Sequence, residues 1–228
     1  MRDCVFLVAD SHMQAAFTSF LSLEHKAQKL GCGPFRFNAE SDLVLAGNDP
    51  AVHRRGHELL RPYLRTHRYA VLALDFAFGH QLQPSEITSE LTKNMQGVGW
   101  DLSRFVVILI VPELEQWFWQ DDPSVQEEVL LRDLSPAERA AQGSLRAFLA
   151  SQSDGHHSLW PPDQPKPRDP KEAMQRAMVA FRRRSSPPAI FGEVFRRVSV
   201  TRCQDPAFCT LRTALATWFP AAPTEECA

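Results

Sequence analysis

No apolar run in the 228-residue sequence approaches the roughly 20 residues that a membrane-spanning helix requires, so bilayer insertion is not expected. The N-terminal stretch has no basic region followed by a small-residue cleavage site, which makes the cytoplasm the expected compartment. Cysteine is scarce and unpatterned. Cys4, Cys32, Cys203, Cys209 and Cys227 are odd in number and lack Cys-x-x-Cys spacing, so neither a disulfide framework nor a zinc ribbon is indicated, and reduced packing thiols are expected. A dominant charge is missing too. Lys and Arg total 25 against 27 Asp and Glu, and the formal net charge of −2 argues against a protein that coats nucleic acid by bulk charge. Glycine-rich phosphate loops, nucleophile elbows and a Ser/His/Asp order are likewise absent.

What the chain does have is a 44% apolar share, enough for a full core, and three apolar runs that each end in a carboxylate. They are Cys4 to Ala9 followed by Asp10, Tyr69 to Leu74 followed by Asp75, and Phe105 to Val111 followed by Pro112-Glu113-Leu114-Glu115. Helical periodicity separates them. Ala16, Phe20, Leu23, Ala27 and Leu30 share one face before Gly31; Val52, Leu59, Leu60, Tyr63 and Leu64 follow Asp49-Pro50, with Pro62 set to bend or end that helix; Ile87, Leu91 and Met95 follow Pro84 and stop at Gly97. Phe35-Arg36-Phe37 alternates and is expected as an edge strand. The resulting β-α-β-α order predicts an α/β fold with a mainly parallel sheet covered on both faces.

Beyond Gln120 capped helices take over. Ser135-Pro136-Ala137-Glu138 and Asp169-Pro170-Lys171-Glu172 have helix-start patterns, and Asp205-Pro206 opens a last helix burying Phe208, Leu211, Leu215 and Trp218. The organisation expected is therefore an α/β core over 1–122 and a helical extension over 123–228. A proline-rich stretch at 151–168, with His156, His157 and Trp160, is expected as an ordered loop or a lid.

If the three runs are neighbouring parallel strands, Asp10, Asp75, Glu113 and Glu115 share one edge of the sheet. Magnesium and manganese prefer carboxylate oxygens and keep several waters, so two or three such groups suffice to hold an ion near a phosphate. A single acid after a strand more often caps the next helix; three strand ends in succession make the metal reading equally strong. Should Pro112 start a helix, Glu113 would sit in its first turn. Trp117, Phe118 and Trp119 could stack bases but are expected in the core. His53 and His57 have zinc-compatible spacing, yet no glutamate or third ligand accompanies them. The arginines at 54, 55, 61, 65 and 68, at 182–184 and at 196–197 could grip a nucleic-acid backbone, although each cluster taken singly reads as a solvated helix face.

Phe6-Leu7-Val8-Ala9-Asp10-Ser11-His12-Met13, Leu74-Asp75 with Gly79, Pro112-Glu113-Leu114-Glu115-Gln116-Trp117, Asp169-Pro170-Lys171-Glu172-Ala173 and Cys203-Gln204-Asp205-Pro206-Ala207-Phe208 resemble, in this order, small Toprim-like proteins of prokaryotic anti-phage defence loci. The chain is most similar to the small Toprim-like component of methylation-associated defence systems. This resemblance implies a Toprim-like sheet, Asp10, Asp75 and Glu113 as ligands of Mg2+ or Mn2+, and Glu115 and Lys171 as catalytic groups of a nuclease acting on DNA or RNA. Ala77 stands where the Asp-x-Asp pair of the wider family has its second acid, and Glu86, the nearest later acid, begins the next helix. Loss of one carboxylate weakens a two-metal centre. The resemblance therefore also implies an alternative, a non-catalytic binding or assembly module among other defence-system proteins.

Overall fold

The computed structural model describes residues 1–76, 82–119, 123–153, 155, 157–182, 185–198 and 203–221. Ala77, Gly79, His156, Arg183, Arg184 and Cys227 lie outside the described residues. Four strands form one all-parallel sheet: β1 (Arg2–Val8), β2 (Leu43–Leu45), β3 (His67–Asp75) and β4 (Phe105–Ile110), in the order β2-β1-β3-β4. This is the α/β architecture that the alternation of apolar runs and helices predicts, followed by a helical C-terminal region. The edge strand is Leu43–Leu45, not Phe35-Arg36-Phe37, which runs as irregular chain. There Phe35 stacks on Phe219 and Phe37 packs edge-on against Phe6, so tertiary burial accounts for their alternation.

Between strands lie α1 (Ser11–Leu21), α2 (Lys26–Leu30), α3 (Ala39–Asp42), α4 (Asp49–Leu60) and α5 (Pro84–Gly97). The helical face read from Ala16 to Leu30 is divided between two helices, the first ending at Leu21, and Gly31 ends the second in the left-handed conformation at φ 71°. Alternate residues of β1 cover opposite faces of the sheet, as a two-residue period requires. Phe6 meets Phe17 of α1 with ring centroids 6.1 Å apart. Leu7 turns the other way, beneath Gly56 of α4, where an added Cβ would come within 3.2 Å of Leu7 Cδ2 and 2.7 Å of Leu72 Cδ1. Glycine here brings α4 down onto β1 and β3. Proline62 falls in a 3-10 turn (Arg61–Arg65) that ends α4, as its missing N–H demands.

The C-terminal helices are α6 (Glu115–Phe118), α7 (Ser124–Leu130), α8 (Pro136–Gln142), α9 (Leu145–Ser151), α10 (Pro170–Ala180), α11 (Pro187–Arg197) and α12 (Pro206–Trp218). The α12 helix buries Phe208, Leu211, Leu215 and Trp218, the predicted stripe, and returns to the sheet. Trp218 stacks on Tyr69 of β3 at 4.7 Å and donates its indole N–H to Ser103 O at 2.9 Å. Phe208 meets Phe20 of α1 and Trp117, so α12 shares the α1 face. Trp117, Phe118 and Trp119 are core, each no more than 1% exposed. The described part of the proline-rich stretch is an ordered loop: Trp160 is buried against Trp119, and Arg168 N donates to Leu159 O at 2.9 Å. No described helix is long and apolar enough to cross a membrane.

Candidate metal centre

In the strand order β2-β1-β3-β4, the chain leaves β1 toward β2 and leaves β3 toward β4, so the sheet has its topological switch point between the carboxyl ends of β1 and β3. Crevices at such points are the usual ligand sites of open α/β sheets because the two flanking connections diverge there. The crevice here is a cleft of about 240 Å3, lined by Asp10, His12, Asp49, Asp75, Glu113, Leu114, Glu115 and Lys171. That is room for several waters or for an ion with part of its shell. All five predicted site residues line it. Two more, Asp49 and His12, join them.

Each acid is placed by local structure. Asp10 follows β1 and caps α1, its Oδ1 accepting from Met13 N at 2.9 Å. Asn48 takes the equivalent capping bond at α4, accepting from Ala51 N, and this leaves the neighbouring Asp49 carboxylate to cross to the sheet. Asp49 Oδ1 accepts from the backbone N–H of Asp75 at 2.7 Å. Asp75 is the last residue of β3, half-buried, and its Oδ1 is buried without a hydrogen-bond partner. Pro112 does not start a helix; α6 begins at Glu115, so Glu113 lies in the turn before it rather than in a first helical turn. There Glu113 meets Lys171 Nζ at 3.0 Å from Oε2 and 3.1 Å from Oε1.

Lys171 arrives from α10 because Trp119 Nε1 donates to the Pro170 carbonyl at 2.9 Å, tying the start of α10 to the chain after β4. The aromatic group beside Glu115 is thus the core element that aims a cation at the acids. Glu115 itself is 6% exposed.

Five carboxylates facing one lysine make a site short of positive charge. Burial, followed by the Asp49 charge, raises the Asp75 carboxyl to about 9, with Glu115 and Asp10 adding to the rise and the Leu114 N–H opposing it. Burial likewise lifts Glu115 to about 7 and Asp49 above its ordinary value. The Lys171 ammonium is held above its usual range: burial works against it, and the Glu113 hydrogen bond and charge outweigh burial.

The five carboxylates are hard oxygen donors of the kind that fits Mg2+ or Mn2+, and no thiol lines the cleft. The unpartnered Asp75 Oδ1 is a free acceptor at the centre of that set. Among the described residues, no three His, Cys, Asp or Glu side chains stand in position to hold one ion together. Asp10 and Asp49 each have one oxygen engaged by a backbone N–H, and both oxygens of Glu113 meet Lys171. His53 lies 3.4 Å from Glu90 on the α4 and α5 side and takes no part in this cleft.

Asp49 carries the clearest signal that sequence reasoning passed over. It follows a strand at the same sheet edge, but β2 has only three residues and a weak apolar run, so the strand and its acid went unrecognised. Comparisons with models of protein families, with curated proteins and with solved structures find no match.

Proposed function

We propose that this chain is a Toprim-like cytoplasmic component of a prokaryotic anti-phage defence system, and that the cleft is a Mg2+- or Mn2+-dependent nuclease site acting on DNA or RNA. The observation that carries this reading is the convergence of Asp10, Asp49, Asp75, Glu113, Glu115 and Lys171 at the switch point of the sheet. Asp10, Asp75 and Glu113 are the residues that would hold the ion. Asp49, hydrogen-bonded to Asp75 N, supplies the additional carboxylate that the chain lacks at Ala77. A bound divalent ion would supply charge neutralisation and polarise a phosphoryl oxygen. Glu115 orients or deprotonates the attacking water, and Lys171 stabilises negative charge on the phosphate once it exchanges Glu113 for substrate.

A second reading is a non-catalytic binding or assembly module within a multi-protein defence complex. It is favoured by the engagement of Asp10, Asp49 and Glu113 with protein partners and by the absence of a preformed three-residue ligand set among the described residues.

The deciding experiment measures Mn2+-dependent cleavage of DNA and RNA, with the protein alone and with its neighbour proteins present. Asp75→Asn and Glu113→Gln are each expected to lower the rate by about a hundredfold or more, in line with loss of a charge-stabilising group. A thermal melt gives an independent reading: Mn2+ raises the unfolding temperature of the wild type and leaves Asp75→Asn nearly unmoved. Cleavage that survives both substitutions sinks the nuclease mechanism, and a cation-stabilised protein that never cleaves selects the binding module.

A further inference from the structure

A second concavity begins where the cleft ends. It is an open groove of about 790 Å3 between α1 and α11, and Ser11, which lines it, sits between Asp10 and His12 of the cleft. The His12 ring stacks flat on Phe191 of α11, with centroids 5.1 Å apart and planes 6° from parallel, so the two helices are clamped at the junction of groove and cleft. Small residues keep the floor low. A Cβ on Gly192 would lie 3.3 Å from Ser19 Oγ and 3.8 Å from the Ala15 Cβ, and so the groove opens outward between close helices rather than being filled by them.

The rim is cationic. Arg132, Arg196 and Arg197 line the groove against a single acid, Glu193. Glu193 receives a forked contact from Arg132 and also faces Arg197, which is held in addition by Glu128. Two guanidinium groups are therefore oriented with donors to spare, since each carries five N–H groups. Arg196 is exposed and makes no ion pair among the described residues. Oriented guanidinium forks match phosphate oxygens better than ammonium groups do.

We propose that the α1/α11 groove carries the phosphodiester backbone of the nucleic acid whose scissile bond lies in the acidic cleft, an inference that rests on the phosphodiester reading of that cleft. The physical need is plain. The acid-lined cleft offers a polyanion a single cation, Lys171, and a chain of net charge −2 exerts no general attraction, so a local cationic surface contiguous with the site is what can hold a strand.

The test measures fluorescence anisotropy of labelled single-stranded and duplex oligonucleotides with the full chain in EDTA, where cleavage does not interfere, over a salt series. Arg196→Glu is expected to weaken binding about tenfold and to reduce the salt slope by about 1, as for loss of one phosphate contact. Lys93→Glu, the same charge change on α5, which packs against α4 across the sheet, is expected to bind like wild type, and Arg196→Lys is expected to restore most of the affinity. Circular dichroism melts of each variant check that the fold is kept. Absence of binding to any oligonucleotide, or equal effects of Arg196→Glu and Lys93→Glu, overturns the groove. Groove-dependent binding without metal-dependent cleavage keeps the groove as the nucleic-acid site and removes the nuclease, whereas cleavage with unchanged Arg196→Glu binding does the reverse.

Discussion

The two ends of the sheet both bury carboxylates, and they treat them in opposite ways. At the amino end, Asp42 is 1% exposed, but every lone pair is answered. The Arg2 guanidinium contacts both oxygens, Asn38 N donates to Oδ2 at 2.7 Å, and the His67 ring lies 3.1 Å from Oδ1 with Thr66 Oγ1 at its far nitrogen. Burial pushes this carboxyl up, yet the Arg2, Asn38 and His67 contacts together hold it below the ordinary aspartate value. At the carboxyl end, Asp75 has an orphaned oxygen and is pushed up to about 9. One end is an internally neutralised tie between the edge helix α3 and the strands. The other gathers carboxyl groups whose protons are held by burial and mutual repulsion, a kind of perturbation that clusters at functional sites.

That contrast breaks most visibly at Asp42. Asp42→Ala strands the buried His67 and the Arg2 contact, and is expected to cost about 3 kcal/mol in chemical denaturation, the usual penalty for removing one member of a buried pair. Because the folded carboxyl titrates below its unfolded value, the stability it supplies is present above the unfolded pKa near 3.8 and is lost as pH falls through the lower folded value. Acid unfolding curves of wild type and variant should therefore converge at low pH; curves that stay parallel would remove the tie.

Asp75→Asn is expected to act with the opposite sign. In metal-free protein it stabilises by about 1–3 kcal/mol at pH 8, because the amide is neutral in both states, whereas the folded wild type must hold a proton that the unfolded chain gives up. With the folded pKa raised, the wild type keeps its proton while the unfolded chain loses it, so wild-type stability declines as pH rises from about 4 toward about 9. The gap between the two proteins should widen over that window, and a gap that narrows would contradict the electrostatics described. The smallest effect belongs to Lys171→Met. Its side chain is 53% exposed, so the Glu113 pair should contribute well under about 1 kcal/mol in a thermal melt, even where cleavage is lost. A large stability loss would make Lys171 a structural tie like Arg2.

Much of this was legible before any coordinates. Asp10, Asp75, Glu113, Glu115 and Lys171 all line one cleft, and the apolar runs behind the acids became three adjacent parallel strands. The α12 stripe of Phe208, Leu211, Leu215 and Trp218 was readable from its spacing alone. The failures share a cause. Phe35-Arg36-Phe37 imitates a strand because its rings pack on Phe219 and Phe6, and the real edge strand, Leu43–Leu45, is too short to show a period. Missing that strand hid Asp49.

By itself the sequence determined which residues could be buried, where the three long strands end and which acids stand at those ends, because hydrophobic periodicity and strand-to-turn boundaries are local properties of the chain. Only the tertiary structure decided the strand order, and with it the switch point between β1 and β3 that turns separate strand ends into one cleft. It also decided which carboxylates meet a partner: Arg2 reaches Asp42 across 40 residues and Lys171 reaches Glu113 across 58, while Asp75 Oδ1 is buried without one. Compensation of a buried charge depends on distance and desolvation in three dimensions, and neither is written in the spacing of residues along the chain.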